Sequence, residues 1–124
     1  MIGGIGVDIV LLSRMKYMLE NSGVTFKNKV FTAYEQKRAE NHKNPIACFS
    51  TTFAAKEAIF KAFHLSWDTG VKMTEMEITK GKNGEPIPVL SGRFMEIAEG
   101  RRISQVHLSL SYDGEYAIGI AMIN

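Results

Sequence analysis

Apolar and polar positions recur along the chain at two periods, one suited to strands and one to helices. Residues 2–10, IGGIGVDIV, are glycine-spaced and rich in β-branched side chains, which predicts a buried strand whose glycines permit close backbone approach. Ser13 is placed to cap a helix through about Glu20, with a break at Asn21-Ser22-Gly23. Thr32 with Glu35 three residues later has the form of a capping box, opening a short helix through about Glu40. Pro45 suits the first turn of a longer helix that runs to about Phe63; the segment HLSWDTG beyond it holds turn residues but no single decisive stop. Residues 73–80, MTEMEITK, alternate as a strand, NGEP is a turn, and PIPVL is a short strand whose prolines mark an edge. Residues 91–100 read as a helix capped by Ser91. VHLSLSY and EYAIGIAMI, separated by Asp113-Gly114, form the clearest hairpin pattern. The sum is an α+β fold, with an antiparallel sheet packed against one long and several short helices.

Composition narrows what such a fold can do. A chain of 124 residues is most simply one domain, 1–124, with a single core that still stands to gain from oligomerisation. Its net charge of +2 comes from dispersed residues, which argues against nucleic-acid binding. Within residues 14–29, however, Arg14, Lys16, Lys27 and Lys29 stand against a single acid, Glu20. This segment is either a solvated helix face or an edge that presents positive potential to an acidic partner. Cys48 is the only cysteine, so an intramolecular disulfide and a multi-cysteine zinc site are excluded; it reads as a small core residue in a reducing compartment. No stretch approaches ~18 consecutive apolar residues, and the N-terminus lacks the basic start of a signal peptide. A soluble, cytoplasmic protein with no membrane partner is expected.

Three charges interrupt the apolar run TFAAKEAIFKAFH at 52–64: Lys56, Glu57 and Lys61. On a helix, Phe53, Lys56, Glu57, Phe60, Lys61 and His64 share a broad face, and Glu57 and Lys61 are direct neighbours four residues apart. In isolation such a pair is a surface ion pair worth a few tenths of a kcal/mol. Here the surrounding alanines and aromatics imply burial, and a partly buried charge needs a partner or a ligand. Asp8, near the end of an apolar strand, poses the same problem, unless it serves a cap or turn. If Asp8 and Glu57 converge, their hard oxygens suit Mg²⁺, and Lys61 one turn on can meet a phosphate as a point charge.

Several segments together resemble the holo-acyl-carrier-protein synthases of the 4′-phosphopantetheinyl transferase superfamily. They are GIGVDIV at 4–10 followed by Arg14, KVFTxxE at 29–35, FAAKEAxxKAF at 53–63, and VHLSLS with EYA near the C-terminus. The similarity covers nearly the whole chain in the family's order. It implies that Asp8 and Glu57 hold Mg²⁺ against the pyrophosphate of coenzyme A and that Lys61 stabilises charge on the phosphates. It also implies that His107 contacts nucleotide bound to a neighbouring subunit of a homotrimer. The turn with Asn83, Gly84 and Pro86 would approach the adenine bound next door, and the basic group led by Arg14 and Lys16 would meet an acidic helix of the apo acyl carrier protein. The implied reaction moves 4′-phosphopantetheine from coenzyme A to a carrier serine and releases adenosine 3′,5′-bisphosphate. Glu35, a metal-bound water and Glu57 are the candidate proton acceptors.

The chain also departs from the family pattern. Thr51-Thr52 replaces a Gly-Arg pair, so an arginine for a coenzyme A phosphate is missing. His64-Leu65-Ser66 replaces a glycine-rich cradle that would let backbone amides approach a phosphate. His42, Lys43 and His64 are placed to compensate electrostatically. The alternative is a transferase-like trimer that binds coenzyme A or carrier with little or no catalysis.

Overall fold

The structure is a computed structural model that describes residues 1–124. Strand β1 (Gly4–Leu11) leads into helices α1 (Leu12–Asn21), α2 (Gly23–Val30), α3 (Ala33–Glu40) and the long α4 (Pro45–Ala62). Two short 3-10 turns at Trp67–Thr69 and Met73–Glu75 precede β2 (Met76–Lys80) and β3 (Pro86–Leu90). Helix α5 (Gly92–Gly100) then connects to β4 (Val106–Asp113) and β5 (Tyr116–Ile123). The fold is α+β, but its strands form two antiparallel sheets rather than one: β1-β5-β4, and the separate hairpin β2-β3.

Helix α4 organises the molecule because its sequence permits contact on both sides. Toward the three-stranded sheet it presents Ala54, Ala58 and Ala62, and the sheet answers with glycines. A Cβ on Gly6 would collide with the Ala58 carbonyl oxygen, and one on Gly4 with that of Ala62. The helix therefore lies directly on strand backbone, a separation only small residues allow. On its other side are aromatic contacts: Phe31 meets Phe49 edge-on with centroids 4.9 Å apart. At its C-terminal end Phe63 packs edge-on against Phe94 of α5, also at 4.9 Å. No helix is long and apolar enough to cross a membrane.

Local signals located most elements and missed some ends. The Thr32–Glu35 capping box is present in both directions. Asn44 caps α4 through Ala47 N–H (3.2 Å), with Pro45 in the first turn. Helix α1, in contrast, begins at Leu12 with Leu11 in the cap position, so Ser13 caps nothing. Ser91 occupies the cap position of α5, but its side chain makes no capping hydrogen bond. Residues 23–30 form a helix the polar pattern GVTFKNKV did not announce. Residues 73–75 are a 3-10 turn rather than the start of β2. Here a tertiary contact decides, because the Glu75 carboxylate accepts from Lys72 N–H at 2.9 Å and from Arg93 N–H at the start of α5 at 3.0 Å.

Candidate active site

Strand alternation divides β1 between two faces. Ile5, Val7 and Ile9 point outward, while Gly4, Gly6, Asp8 and Val10 face α4. Asp8 is thus carried to the flank of the long helix, where its cross-strand partner is Gly119. There Lys61 Nζ donates to Asp8 Oδ1 at 3.0 Å and to the Val7 carbonyl oxygen at 3.1 Å. The Asp8 side chain is 16% exposed and that of Lys61 52%. Glu57, one helical turn before Lys61, lines a small cavity together with Asp8, Arg14 and Phe53. Burial pushes the Glu57 carboxyl above its ordinary range, the negative charge of Asp8 pushes it further, and Lys61 opposes both. Two carboxylates from opposite ends of the chain therefore share one cleft with two cations at its edge. This donor set fits a hard divalent ion: two carboxylates supply part of a coordination sphere, and their mutual repulsion is what such an ion would relieve.

Lys56 behaves differently from its neighbours and corrects the broad-face reading. It points away from the cleft, fully buried, where Nζ donates to Glu35 Oε1 (2.6 Å), the Val30 carbonyl (2.6 Å) and the Met73 carbonyl (3.0 Å). Glu35 in turn accepts from Thr32 N–H at 2.9 Å and Ile78 N–H at 2.6 Å. Burial pulls the Lys56 pKa down, with Glu35 and then Glu77 opposing it. Glu35 is thus a structural carboxylate, saturated with donors and facing away from the cleft, and it is removed from the candidate proton acceptors.

The other sequence-selected residues are spread over the surface. Lys16 is exposed on α1, two residues beyond Arg14, which lines the cleft. His107 lies on the outward face of β4, opposite Met122, whereas Asp8 lies on the inward face of the same sheet. Two inter-strand spacings and three residues along the strand separate them, roughly 14 Å between Cα atoms, so within one chain they do not meet. Asn83 and Gly84 form the tip of the β2-β3 hairpin, with Gly84 at φ 82°, and Pro86 starts β3; none of them lines the Asp8 cleft. Thr51 and Thr52, in place of Gly-Arg, both donate their hydroxyls to the Cys48 carbonyl, at 3.2 and 2.8 Å. His64 is exposed just past the end of α4, and His42 accepts at Nδ1 from Asn44 N–H at 2.9 Å. Cys48 is a buried core residue. Phe53, which walls the cleft, was visible in the sequence only as part of the apolar pattern.

Comparison with known proteins places this arrangement. Residues 4–121 match the family model of the 4′-phosphopantetheinyl transferase superfamily. A holo-[acyl-carrier-protein] synthase from Trichlorobacter lovleyi is 35% identical over 118 residues, covering 95% of this chain and 94% of the relative. One from Desulforudis audaxviator is 36% identical over 122 residues, covering 98% and 92%. The crystal structure of the holo-[acyl-carrier-protein] synthase from Neisseria meningitidis superposes with a TM-score of 0.92 at 27% identity, covering 100% of this chain and 99% of that one. The Bacillus anthracis enzyme in complex with CoA (3′,5′-ADP) has a TM-score of 0.81 at 30% identity, covering 99% and 96%. Matched over nearly its whole length by the family model and by these relatives, and sharing the fold, this chain belongs to the holo-acyl-carrier-protein synthases of the 4′-phosphopantetheinyl transferase superfamily.

Proposed function

We propose that the protein transfers 4′-phosphopantetheine from coenzyme A to a serine of an apo acyl carrier protein in the cytoplasm, releasing adenosine 3′,5′-bisphosphate. The observation that carries this reading is the one cleft that Asp8 and Glu57 line together, with Lys61 hydrogen-bonded to Asp8. Asp8 and Glu57 would hold Mg²⁺, which when bound supplies positive charge to the diphosphate. Lys61 is tethered to Asp8 and the Val7 carbonyl at one end of the cleft; its flexible stem lets the ammonium follow the charge that grows on the departing phosphate. Alignment and charge neutralisation are the main demands of phosphoryl transfer, and a covalent enzyme intermediate is not required. With Glu35 committed elsewhere, the serine proton passes to Glu57 or to solvent.

Arg14 at the cleft and Lys16, two residues further along α1, form the cationic approach for an acidic carrier helix. The assembly proposed is a homotrimer. Its support is the outward face of the β1-β5-β4 sheet, where Ile5 (63% exposed), Val7 (53%), Ile9 (62%) and Ile120 (41%) make a continuous apolar surface that a free chain would leave in water. His107 stands on that same face, so it serves a neighbouring subunit's site rather than its own, as do Asn83, Gly84 and Pro86 at the hairpin.

The deciding experiment is mass spectrometry of an apo acyl carrier protein incubated with the protein, coenzyme A and Mg²⁺. A phosphopantetheine mass gain is expected with wild type and not with Asp8→Ala or Glu57→Ala. No gain with folded wild type, alongside retained coenzyme A binding, would favour the non-catalytic reading raised by the Thr51-Thr52 and His64-Leu65-Ser66 departures.

A further inference from the structure

The Lys61 ammonium is committed to strand β1. It donates to Asp8 Oδ1 at 3.0 Å and to the Val7 carbonyl oxygen at 3.1 Å, two acceptors from adjacent residues. Glu57, one turn back along α4, takes part in no salt bridge. The two carboxylates that line the cavity of about 170 Å³ are therefore served unequally: Asp8 has a close cation and Glu57 has none. The pair is not needed to hold α4 against β1, because Ala58 and Ala62 already pack on the bare backbone of Gly6 and Gly4.

The two partners differ in what separation would mean for them. The Lys61 side chain is 52% exposed, so its ammonium returns to water easily, and an exposed pair of this kind is weak. The Asp8 side chain is 16% exposed, so its carboxylate needs another positive charge in place of the one it loses. Mg²⁺ on Asp8 is such a replacement, but it would stand beside the ammonium, and like charges at that range repel. Lys61 and the metal thus compete for one carboxylate. An ammonium released at the edge of the cleft is free to pair with an anion bound there, and its flexible stem lets it reach one.

We propose that Lys61 is an exchangeable counter-ion of Asp8: it holds the carboxylate until a diphosphate draws the ammonium away, and so makes the binding of Mg²⁺ and of coenzyme A depend on each other. The proposal rests on the transferase reading for the identities of the metal and the diphosphate. It adds that the chain withholds Asp8 from the metal until the diphosphate arrives. By reciprocity the metal, in taking Asp8, releases Lys61 to the diphosphate.

The test is calorimetric titration of Mg²⁺ into the full-length protein with and without saturating coenzyme A, corrected by a titration of coenzyme A lacking protein. Coenzyme A should tighten Mg²⁺ binding to wild type about tenfold or more, an ordinary size for coupling between two ligands. Lys61→Met should tighten the binding of Mg²⁺ alone by roughly fivefold, the upper end for removing an exposed ion pair, and should shrink the coupling by the same factor. Lys61→Arg keeps the charge and should return Mg²⁺ alone to its wild-type affinity; circular dichroism checks that each variant is folded. Unchanged Mg²⁺ affinity in Lys61→Met would overturn the proposal. So would equal tightening with and without coenzyme A, which is what plain repulsion by a fixed lysine gives. Either result alongside phosphopantetheine transfer by wild type would remove the exchange and leave the transferase reading standing. The expected Mg²⁺ pattern in a wild type that forms no holo carrier would do the reverse.

Discussion

Replacing Lys56 with methionine keeps most of the unbranched side chain, one atom shorter, and removes the charge. The ammonium is fully buried and makes three hydrogen bonds, to Glu35 and to the Val30 and Met73 carbonyls. Its loss strands the Glu35 carboxylate, whose side chain is 1% exposed, with only the Thr32 and Ile78 amides as donors. Breaking a buried pair from one side costs about 3–5 kcal/mol, because the remaining charge is left uncompensated. For a chain of this size that corresponds to a fall in Tm of roughly 12–20 °C, taking about 4 °C per kcal/mol. Chemical denaturation of wild type, Lys56→Met, Glu35→Gln and the double variant gives the complete cycle. The double variant should be less destabilised than the sum of the singles by about 1–3 kcal/mol, since neither ion is then left alone. A loss below about 1 kcal/mol for Lys56→Met, or strict additivity in the cycle, would refute the view that this pair is a buried clamp.

Three other outcomes follow from the cleft and the sheet. Burial and Asp8 raise the Glu57 pKa, so its ionisation destabilises the metal-free fold: the contribution is harmless below the ordinary value of 4.5 and is felt as pH rises through the elevated folded value. Glu57→Gln should therefore be more stable than wild type at neutral pH without metal, and thermal melts should show Mg²⁺ stabilising wild type but not the variant; equal Mg²⁺ shifts would count against Glu57 as a ligand. The double variant Arg14→Glu/Lys16→Glu should slow carrier modification more than it weakens coenzyme A binding, and equal losses in the two assays would contradict a carrier-docking role. Ile9→Lys, which sets a charge on the outward sheet face, should shift the protein to a monomer in size-exclusion chromatography with light scattering and reduce transfer at least tenfold if subunits complete each other's sites; an unchanged oligomer would show that this face is not the contact.

Much of the architecture was legible because its determinants are local. The capping box at Thr32, the proline after Asn44, the alternation in VHLSLS and EYAIGIAMI, and the turn at Gly114 each specify backbone geometry within a few residues. The elements that escaped are those with weak local preference. Helix α2 reads as polar and short; its Val30 is buried, and its Phe26 finds its place against Phe31 and against Phe53 of α4. The 3-10 turn at 73–75 is held by Glu75 reaching α5, a contact between segments.

The same division runs through the candidate site. The sequence alone determined which side chains were candidates for chemistry: a carboxylate in a glycine strand, and a carboxylate and lysine one helical turn apart. That spacing is intrinsic to the helix, so Glu57 and Lys61 were bound to be neighbours. Only the tertiary structure could decide which of the three charges face the cleft and which is buried in the core, because Lys56 and Glu57 differ by about 100° around the helix axis and what lies in each direction is other parts of the chain. The packing of α4 on bare glycine backbone brings Asp8 to Lys61 and buries Lys56 against Glu35. Local preferences fix where a side chain points relative to its own helix or strand, but the partner it meets is set by the long-range contacts that form when those elements pack.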